Sequence, residues 1–334
     1  MVYSYANWLS ERGHGVSIMF MNMESLKKLP GAIRSIALKL SIHLRPRWFK
    51  LNKRIRRISY SADTKRWEDG YKDDFDCVIA TELKTAAFVD SHFDDAKKLY
   101  FIQDFENWDC SDEEVYATYR MNMKKIVISE WLKEIVDKYS LKPSVLIRNP
   151  IDRNIYCVKN NIEERSPFSI GMLYHEGDHK GCKYAVEALK KVKKNYPDVL
   201  VDCFGTTERP ADLPDWFIYT RDASQDETAA IYNKVAIWVC ASVEEGFGLT
   251  GLEAMSCGAA LVSTEYKGVK EYAVNEDNAL LSPIRDSESL AGNISRLIDN
   301  REERIRIAKS GIKKAEEFSI EKAVDSFERM VIVS

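Results

Sequence analysis

A pair of glutamates on either side of a glycine-rich loop is the part of this sequence best suited to chemistry. The loop lies within VAIWVCASVEEGFGLTGLEAMSCG, residues 235–258, where Glu245 directly precedes Gly-Phe-Gly and Glu253 lies in the segment that follows. Backbone N–H groups in such a loop, together with the positive end of a following helix, suit the binding of phosphate. The pattern therefore predicts a phosphate site between two carboxylates.

The elements around the loop must position it. Residues 235–241 form a short apolar run, as expected for a strand buried on both faces, and residues 249–257 have helical spacing that Gly258 ends. The loop would thus open a helix at the end of a parallel strand. The alternative is two solvated glutamates, because 30% of the chain is charged. The strand, turn and helix in register favour the site.

The segment from Glu245 to Glu253 matches the pattern E-G-F-G-L-x-x-x-E throughout. In this it resembles the retaining glycosyltransferases of family 4, which have the GT-B fold. The resemblance implies that Glu245 faces the sugar of a nucleotide diphosphosugar and that Glu253 binds the ribose hydroxyls. It also implies that the loop holds the diphosphate through the backbone of Gly246, Phe247, Gly248, Leu249 and Thr250.

Lys180 is a further candidate for binding the diphosphate. It follows an apolar, strand-like run at 168–174 and precedes Gly181, where members of the resembled family have Gly-Arg-Leu, a short loop and Lys-Gly. Met172 stands at the arginine position, so the resemblance assigns more of the phosphate charge to Lys180. Three other side chains could substitute for the arginine, namely His175, His179 and Arg148. An exposed lysine at a helix start is the alternative interpretation.

We expect no metal and no cofactor besides the sugar donor. His175 and His179 have i, i+4 spacing, but they lie in a Gly/Asp loop without an obvious third ligand. Asp74 and Asp76 form an Asp-x-Asp pair, which binds a metal in the other main glycosyltransferase fold. Here the pair stands where a loop meets a strand at 75–81, which is a common place for aspartate.

Polar side chains end the strand-like run LYFIQ at 99–103, where Gln103 and Asp104 begin the sequence QDFENW. Side chains at the C-terminal end of a parallel strand point into the ligand crevice. Many members of the resembled family have a His near Gln103 that faces the sugar, and the Gln-Asp-x-Glu variant resembles a subset containing rhamnosyltransferases that use dTDP-rhamnose. The resemblance makes Gln103 a catalytic candidate and Asp104 a substrate-binding one. Capping of the next helix is the alternative for Asp104 and Glu106.

At 334 residues the chain suits two domains. The resemblance implies an α/β GT-B architecture, with two Rossmann-like, doubly wound domains facing a cleft. We predict an acceptor-side domain at 1–155, a nucleotide-sugar domain at 156–318 and a final helix at 319–334 that crosses back. The family has a strand and a glycine-rich turn upstream of a segment like 6–16. We therefore expect the N-terminal domain to lack its first strand, through a misplaced start or a real loss.

Charge and composition limit the partners. The net charge is −3, the cysteines show no C-x-x-C pair, and no apolar run approaches the roughly 20 residues that span a bilayer. With no signal peptide evident, we expect a cytoplasmic protein that binds no nucleic acid. Residues 27–57 contain basic and apolar side chains and no acidic one. This indicates either peripheral contact with the inner face of a membrane or a solvated helical pair packed on its own domain.

The pattern as a whole favours transfer of a sugar from a nucleotide diphosphosugar, either dTDP-rhamnose or a UDP- or GDP-sugar. The acceptor would be a hydroxyl of a glycan or lipid-linked glycan, and the resemblance implies retention at the anomeric carbon. Two alternatives share the donor site: a GT-B sugar-nucleotide epimerase and a non-catalytic nucleotide-sugar-binding protein.

Overall fold

Apolar strands that alternate with amphipathic helices assemble into layers of α/β structure. The structure is a computed structural model that describes residues 1–21, 33, 36–37, 51–61, 66–67 and 75–332. Most of the basic segment 27–57 and Asp74 lie outside the described residues, so the membrane interpretation of that segment stays a prediction. Of the helices that the structure describes, none is long and apolar enough to cross a membrane.

Two sheets form the N-terminal part of the described chain. The first has the order β1-β2-β3, with β1 parallel to β2 and β3 antiparallel, and the second is a parallel sheet of order β4-β5-β6-β7. Their strands are β1 (Ser17–Met21), β2 (Arg56–Ser61), β3 (Arg66–Trp67), β4 (Cys77–Ala80), β5 (Lys97–Ile102), β6 (Lys124–Val127) and β7 (Val145–Leu146). The helices here are α1 (Val2–Glu11), α2 (Leu83–His92), α3 (Asp112–Arg120) and α4 (Glu130–Tyr139).

The C-terminal part is built on one six-stranded parallel sheet of order β10-β9-β8-β11-β12-β13. Its strands are β8 (Ser169–Leu173), β9 (Leu200–Gly205), β10 (Phe217–Arg221), β11 (Ile237–Cys240), β12 (Ala260–Thr264) and β13 (Ala279–Ser282). Its helices are α5 (Cys182–Asn195), α6 (Gln225–Lys234), α7 (Leu249–Ser256), α8 (Ser287–Asp299) and α9 (Arg301–Ala315). Because β8, β11 and β12 are parallel neighbours, the loops that follow them meet at one edge of the sheet.

The last helix, α10 (Ile320–Ile332), lies against the N-terminal part. The ring of Phe327 stacks on Tyr5 of α1 at 4.3 Å and meets Phe101 of β5 edge-on at 5.3 Å. Arg12 forms ion pairs with Asp325 and Glu328 at the rim of this contact. Aromatic burial, and not the exposed ion pairs, therefore holds the helix there.

The predicted α/β fold with parallel sheets is confirmed. The buried strands are near-continuous apolar runs, and every residue of β11 and β12 is buried, as expected when helices cover both faces of a sheet. The predicted domain limits at 155 and 318 stay predictions.

Candidate active site

The glycine-rich loop connects β11 to α7, and two buried tyrosines pack against its last residue. Gly248 has a φ of +88°, and a Cβ at this position would collide with the Tyr266 hydroxyl. Tyr272 donates a hydrogen bond to the Gly248 carbonyl at 2.7 Å, and the two tyrosine hydroxyls lie 2.9 Å apart. Only glycine fits this left-handed, crowded position. The tyrosine pair thus fixes where the loop ends and the helix begins.

The loop presents backbone N–H groups at its end. Gly248 is the N-cap residue of α7 and, as a glycine, provides no side chain to accept a hydrogen bond from the first turn of this helix. The first N–H groups of a helix have no partner within the helix, so those of Leu249 and Thr250 can serve an anionic ligand. The Phe247 side chain is buried and packs on Tyr272 and Phe318, so its contribution to a ligand would come from its backbone.

Glu245 and Lys180 meet directly. The Lys180 Nζ atom lies 2.5 Å from Glu245 Oε1, and the Ser242 hydroxyl donates to Glu245 Oε2 at 3.0 Å. Both side chains are less than one-fifth exposed, at 19% and 15%, so water screens this pair less than a surface ion pair. The structure therefore brings together two of the predicted catalytic residues and adds Ser242, which sequence reasoning missed.

Backbone contacts align the two loops that carry this pair. Lys180 ends a short 3-10 turn at Asp178–Lys180, and Gly181 follows with a φ of +58° against the Ala241 carbonyl. The N–H groups of Val243 and Glu244 both donate to the His179 carbonyl, at 2.8 and 3.2 Å. The loops after β8 and β11 therefore hold Lys180 in place before any ligand arrives.

His175 and His179 lie beside Lys180, in surroundings that favour the neutral form of the imidazole. Their rings lie 5.4 Å apart, and His175 Nδ1 accepts a hydrogen bond from the Gly177 N–H at 2.9 Å. Burial lowers the pKa of both histidines, and the charge of Lys180 lowers each pKa further. A neutral imidazole adds little charge to a diphosphate site. Among the residues that the structure describes, no group of three or more His, Cys, Asp and Glu could hold a metal ion.

Glu253 lies on α7 and contacts the buried Tyr232 of α6. Its Oε2 atom accepts a hydrogen bond from the Tyr232 hydroxyl at 3.0 Å. Burial raises the pKa of Glu253 to about 7, while the Tyr232 hydroxyl and the charge of the Met1 amino group oppose the increase. When ionised, this carboxylate can accept hydrogen bonds from a diol such as ribose through both oxygens, whereas in the protonated form one oxygen carries a hydrogen that must be donated.

Asp104 reaches the same site from the N-terminal part. It accepts the Phe105 N–H at 2.9 Å, and burial raises its pKa to about 6. The charge of Glu245 raises this pKa further, and the charge of Lys180 lowers it. The Gln103 carbonyl lies against Gly246, and the Gln103 amide donates to the Thr81 carbonyl at 3.4 Å. Both predicted residues thus lie at the edge of the loop, although Gln103 presents its backbone and not its side chain to Gly246.

Glu106 and Arg148 have partners away from the loop. Glu106 accepts the N–H of Leu83, the first residue of α2, at 2.5 Å, so it caps a helix that precedes it in the chain. Arg148 donates to Glu271 at 2.6 Å and to Glu130 at 3.1 Å. The predicted phosphate role of Arg148 stays a prediction that requires the guanidinium to leave these carboxylates.

Trp131 of α4 contacts the loop, and no sequence pattern indicated this. Its Nε1–H donates to the Gly246 carbonyl at 3.0 Å, and Lys267 Nζ lies 4.9 Å from the ring centroid. The tyrosines at 232, 266 and 272 were also missed, because a buried aromatic residue in a strand or helix pattern reads as core. The chemistry of their hydroxyls becomes visible only when Glu253 and Gly248 are placed beside them.

Comparison with known proteins identifies the C-terminal part. The family described as "Glycosyl transferases group 1" matches residues 159–314. A glycosyltransferase of Methanocaldococcus jannaschii, MJ1178, is 24% identical over 230 residues, which are 63% of this chain and 59% of that protein. The N,N'-diacetylbacillosaminyl-diphospho-undecaprenol alpha-1,3-N-acetylgalactosaminyltransferase of Campylobacter jejuni is 27% identical over 141 residues, 41% of this chain and 37% of that protein. The chain thus spans less than two thirds of the length of these relatives.

Solved structures support the fold over almost the whole chain. HepE of Anabaena, crystallised with UDP and glucose, has a TM-score of 0.71 and 15% sequence identity, covering 95% of this chain and 99% of that one. At this identity the likeness concerns the fold, which is GT-B, as predicted. Within this fold, the match to the glycosyl transferases group 1 family covers residues 159–314, just under half of the chain.

Proposed function

We propose that this chain transfers a sugar from a nucleotide diphosphosugar to an acceptor hydroxyl. The observation that carries the proposal is the Lys180–Glu245 pair, 2.5 Å apart, beside the first turn of α7, whose N-cap glycine provides no side-chain acceptor. Departure of a nucleoside diphosphate develops negative charge, and fixed amides with a nearby ammonium stabilise such charge without rearranging. A carboxylate next to them suits the hydroxyls of the sugar that is transferred.

Each residue has a distinct role in this proposal. Lys180 and the amides of residues 246–250 stabilise the diphosphate as the bond to the anomeric carbon breaks, with no metal. Glu245 orients the sugar, because its two oxygens are already held by Lys180 and Ser242. Glu253 binds the ribose, and Asp104 approaches the sugar or the acceptor from the opposite side.

The finer assignment concerns donor, acceptor and stereochemistry. We propose dTDP-rhamnose or a UDP- or GDP-sugar as donor, a glycan or lipid-linked glycan as acceptor, and retention at the anomeric carbon. The ligands in the HepE crystal structure, UDP and glucose, support a nucleotide-sugar donor. The name of the Campylobacter relative supports a lipid-linked acceptor. We further propose that residues 1–155 and 156–318 are the two domains, and that segment 27–57 contacts the inner face of the membrane.

A thermal-shift panel of UDP, GDP, dTDP and their sugars tests the donor. We expect one base to raise the melting temperature most, and NMR of the product then reports the anomeric configuration. Glu245→Ala should abolish transfer, whereas Glu244→Ala, which changes the half-buried neighbouring glutamate, should keep it. Sugar-nucleotide consumption without an added acceptor and with inversion at a ring carbon would favour an epimerase. Binding without turnover in wild type would favour a binding protein.

A further inference from the structure

Residues of the N-terminal part contact the backbone on both sides of Gly246, which lies in the C-terminal part. The Gly246 carbonyl accepts the Trp131 Nε1–H at 3.0 Å. The Gly246 α-carbon lies against the Gln103 carbonyl, so closely that a Cβ would collide with it and would stand 3.2 Å from the Asp104 α-carbon. Gly246 is therefore a point at which the two halves of the molecule touch through their backbones.

The Asp104 carboxylate completes this contact. Its Oδ1 accepts the Phe105 N–H at 2.9 Å, and the backbone N–H groups of Phe105 and Gly246 both counteract the increase in the pKa of Asp104 that burial causes. The Gly246 N–H belongs to the peptide that follows Glu245, while its carbonyl belongs to the peptide before Phe247. Trp131 thus holds the peptide that follows Gly246 by a hydrogen bond, and Asp104 lies near the peptide that precedes it, directly beside Glu245.

Trp131 is itself held in place. It is 9% exposed at the start of α4, and Lys267 covers one face of its ring at 4.9 Å. Gly268, next to Lys267, packs against the backbone of residues 245–247, at distances of 2.5 to 2.8 Å from a Cβ built at that position. Lys267 and Gly268 begin the 3-10 turn Lys267–Glu271, and Glu271 at its end accepts hydrogen bonds from the Glu130 N–H at 2.6 Å and from Arg148. The Trp131 bond is therefore part of a continuous contact and not an isolated one.

We propose that Trp131 and Asp104 are positioning residues that hold Gly246 and thereby orient Glu245 only while the two halves of the molecule are closed. This rests on the role given to Glu245 in the proposed function. Opening the cleft separates Trp131 and Asp104 from the loop. The Glu245 carboxylate is therefore aligned in the closed state, in which water is excluded, and becomes free to move when the products leave. Glycine is required at 246 because any side chain would hold the halves apart.

Amide hydrogen exchange tests the contacts of Trp131 and Asp104 with Gly246 without a substrate. In the ligand-free protein, a peptide covering residues 244–249 should exchange about fivefold faster in Trp131→Phe, because one lost hydrogen bond amounts to about 1 kcal/mol. Asp104→Ala should have a similar effect, and Asp104→Asn, which keeps an acceptor, should restore much of the protection. The matched control is Trp216→Phe, since Trp216 packs on Phe217 with Lys193 over its ring at 5.3 Å, within the C-terminal part. Equal exchange in Trp131→Phe, Trp216→Phe and wild type would overturn the proposal.

Turnover separates this inference from the proposed function. With UDP-glucose as the probe, Trp131→Phe should lower the rate of UDP release about fivefold and leave the Kd for UDP, measured by calorimetry, within twofold. A change in Kd with no change in rate would contradict a positioning role. If wild type does not use UDP-glucose, the choice of donor or the proposed function fails, while the exchange experiment still tests the contacts with Gly246.

Discussion

Replacing Glu253 by Gln should make the protein more stable at alkaline pH while weakening nucleotide binding. The carboxylate is held in a site that disfavours its charge, and burial raises its pKa from the ordinary 4.5 to about 7. The Tyr232 hydroxyl, 3.0 Å from Oε2, offsets only part of this effect. Glutamine keeps the shape and an oxygen acceptor for that hydroxyl, but it carries no charge to bury.

The sign and the size follow from proton linkage. Between pH 4.5 and about 7 the folded protein binds more protons at Glu253 than the unfolded chain does, so this residue's contribution to the free energy of unfolding falls as pH rises. The contribution is fully present below pH 4.5 and is lost above pH 7. One pKa unit is worth about 1.4 kcal/mol, so the change between pH 5 and pH 8 is about 2.5 kcal/mol. The glutamine variant does not undergo this loss.

Urea unfolding at pH 5 and pH 8 measures the difference between Glu253→Gln and wild type. We expect the variant to gain about 2.5 kcal/mol on wild type between the two pH values. Glu134→Gln, at an exposed position on α4, is the control and should show little change. A difference between Glu253→Gln and wild type that is the same at both pH values would refute the burial argument.

The same substitution has the opposite effect on ligand binding. An ionised carboxylate can accept hydrogen bonds from two ribose hydroxyls, whereas the amide has one acceptor oxygen. Wild type should bind UDP more tightly as pH rises from 6 to 8, and Glu253→Gln should bind about tenfold more weakly at pH 8, with little pH dependence. Calorimetry at both pH values checks this. A parallel pH dependence in both proteins would show that Glu253 does not contact the nucleotide.

The remaining predictions concern the loop and its support. Lys180→Met should lower sugar transfer by about 100-fold, as loss of a charge-stabilising donor typically does, with Lys180→Arg retaining part of the rate in a UDP-release assay. Gly248→Ala should lower the free energy of unfolding by at least about 2 kcal/mol, because its φ is +88° and a Cβ would meet a tyrosine hydroxyl, whereas Gly292→Ala in α8 has open space and should be neutral or stabilising in urea unfolding. Arg165→Met should cost about 3 kcal/mol or more by the same measurement, because this buried guanidinium donates to several backbone carbonyls.

Local patterns in the sequence were enough to predict the parallel sheets and the loop that Glu245 precedes. Apolar strands such as 237–240 carry their own signal, and the parallel arrangement places their C-terminal ends together. Lys180 and Glu245 each follow such a strand, on neighbours β8 and β11, so their proximity follows from the topology. Site residues that end adjacent strands of one sheet are therefore accessible to sequence reasoning.

Contacts between the N-terminal and C-terminal parts of the chain could not be predicted from the sequence. Trp131 is separated from Gly246 by 115 positions, and its helix reads as an ordinary amphipathic segment. Arg148 illustrates the same limit, since its charge suggested a phosphate partner, but the packing of the two parts puts the almost fully buried Glu271 carboxylate beside it. Such pairings depend on the relative placement of two separately folded sheets, for which neither periodicity nor spacing carries a signal.

The Lys180–Glu245 pair explains how recognition of the sugar and departure of the diphosphate can be coupled. An ammonium has three N–H donors, and one of them is directed at Glu245 in the ligand-free protein. A diphosphate that takes the remaining donors need not displace Glu245, so one lysine would bridge the leaving group and the carboxylate that faces the sugar. Arginine at 180 would preserve the charge but present a planar fork in place of three radiating donors. We therefore expect Lys180→Arg to retain UDP binding but to lose more of the transfer rate than of the affinity, and equal losses in both would refute the bridge.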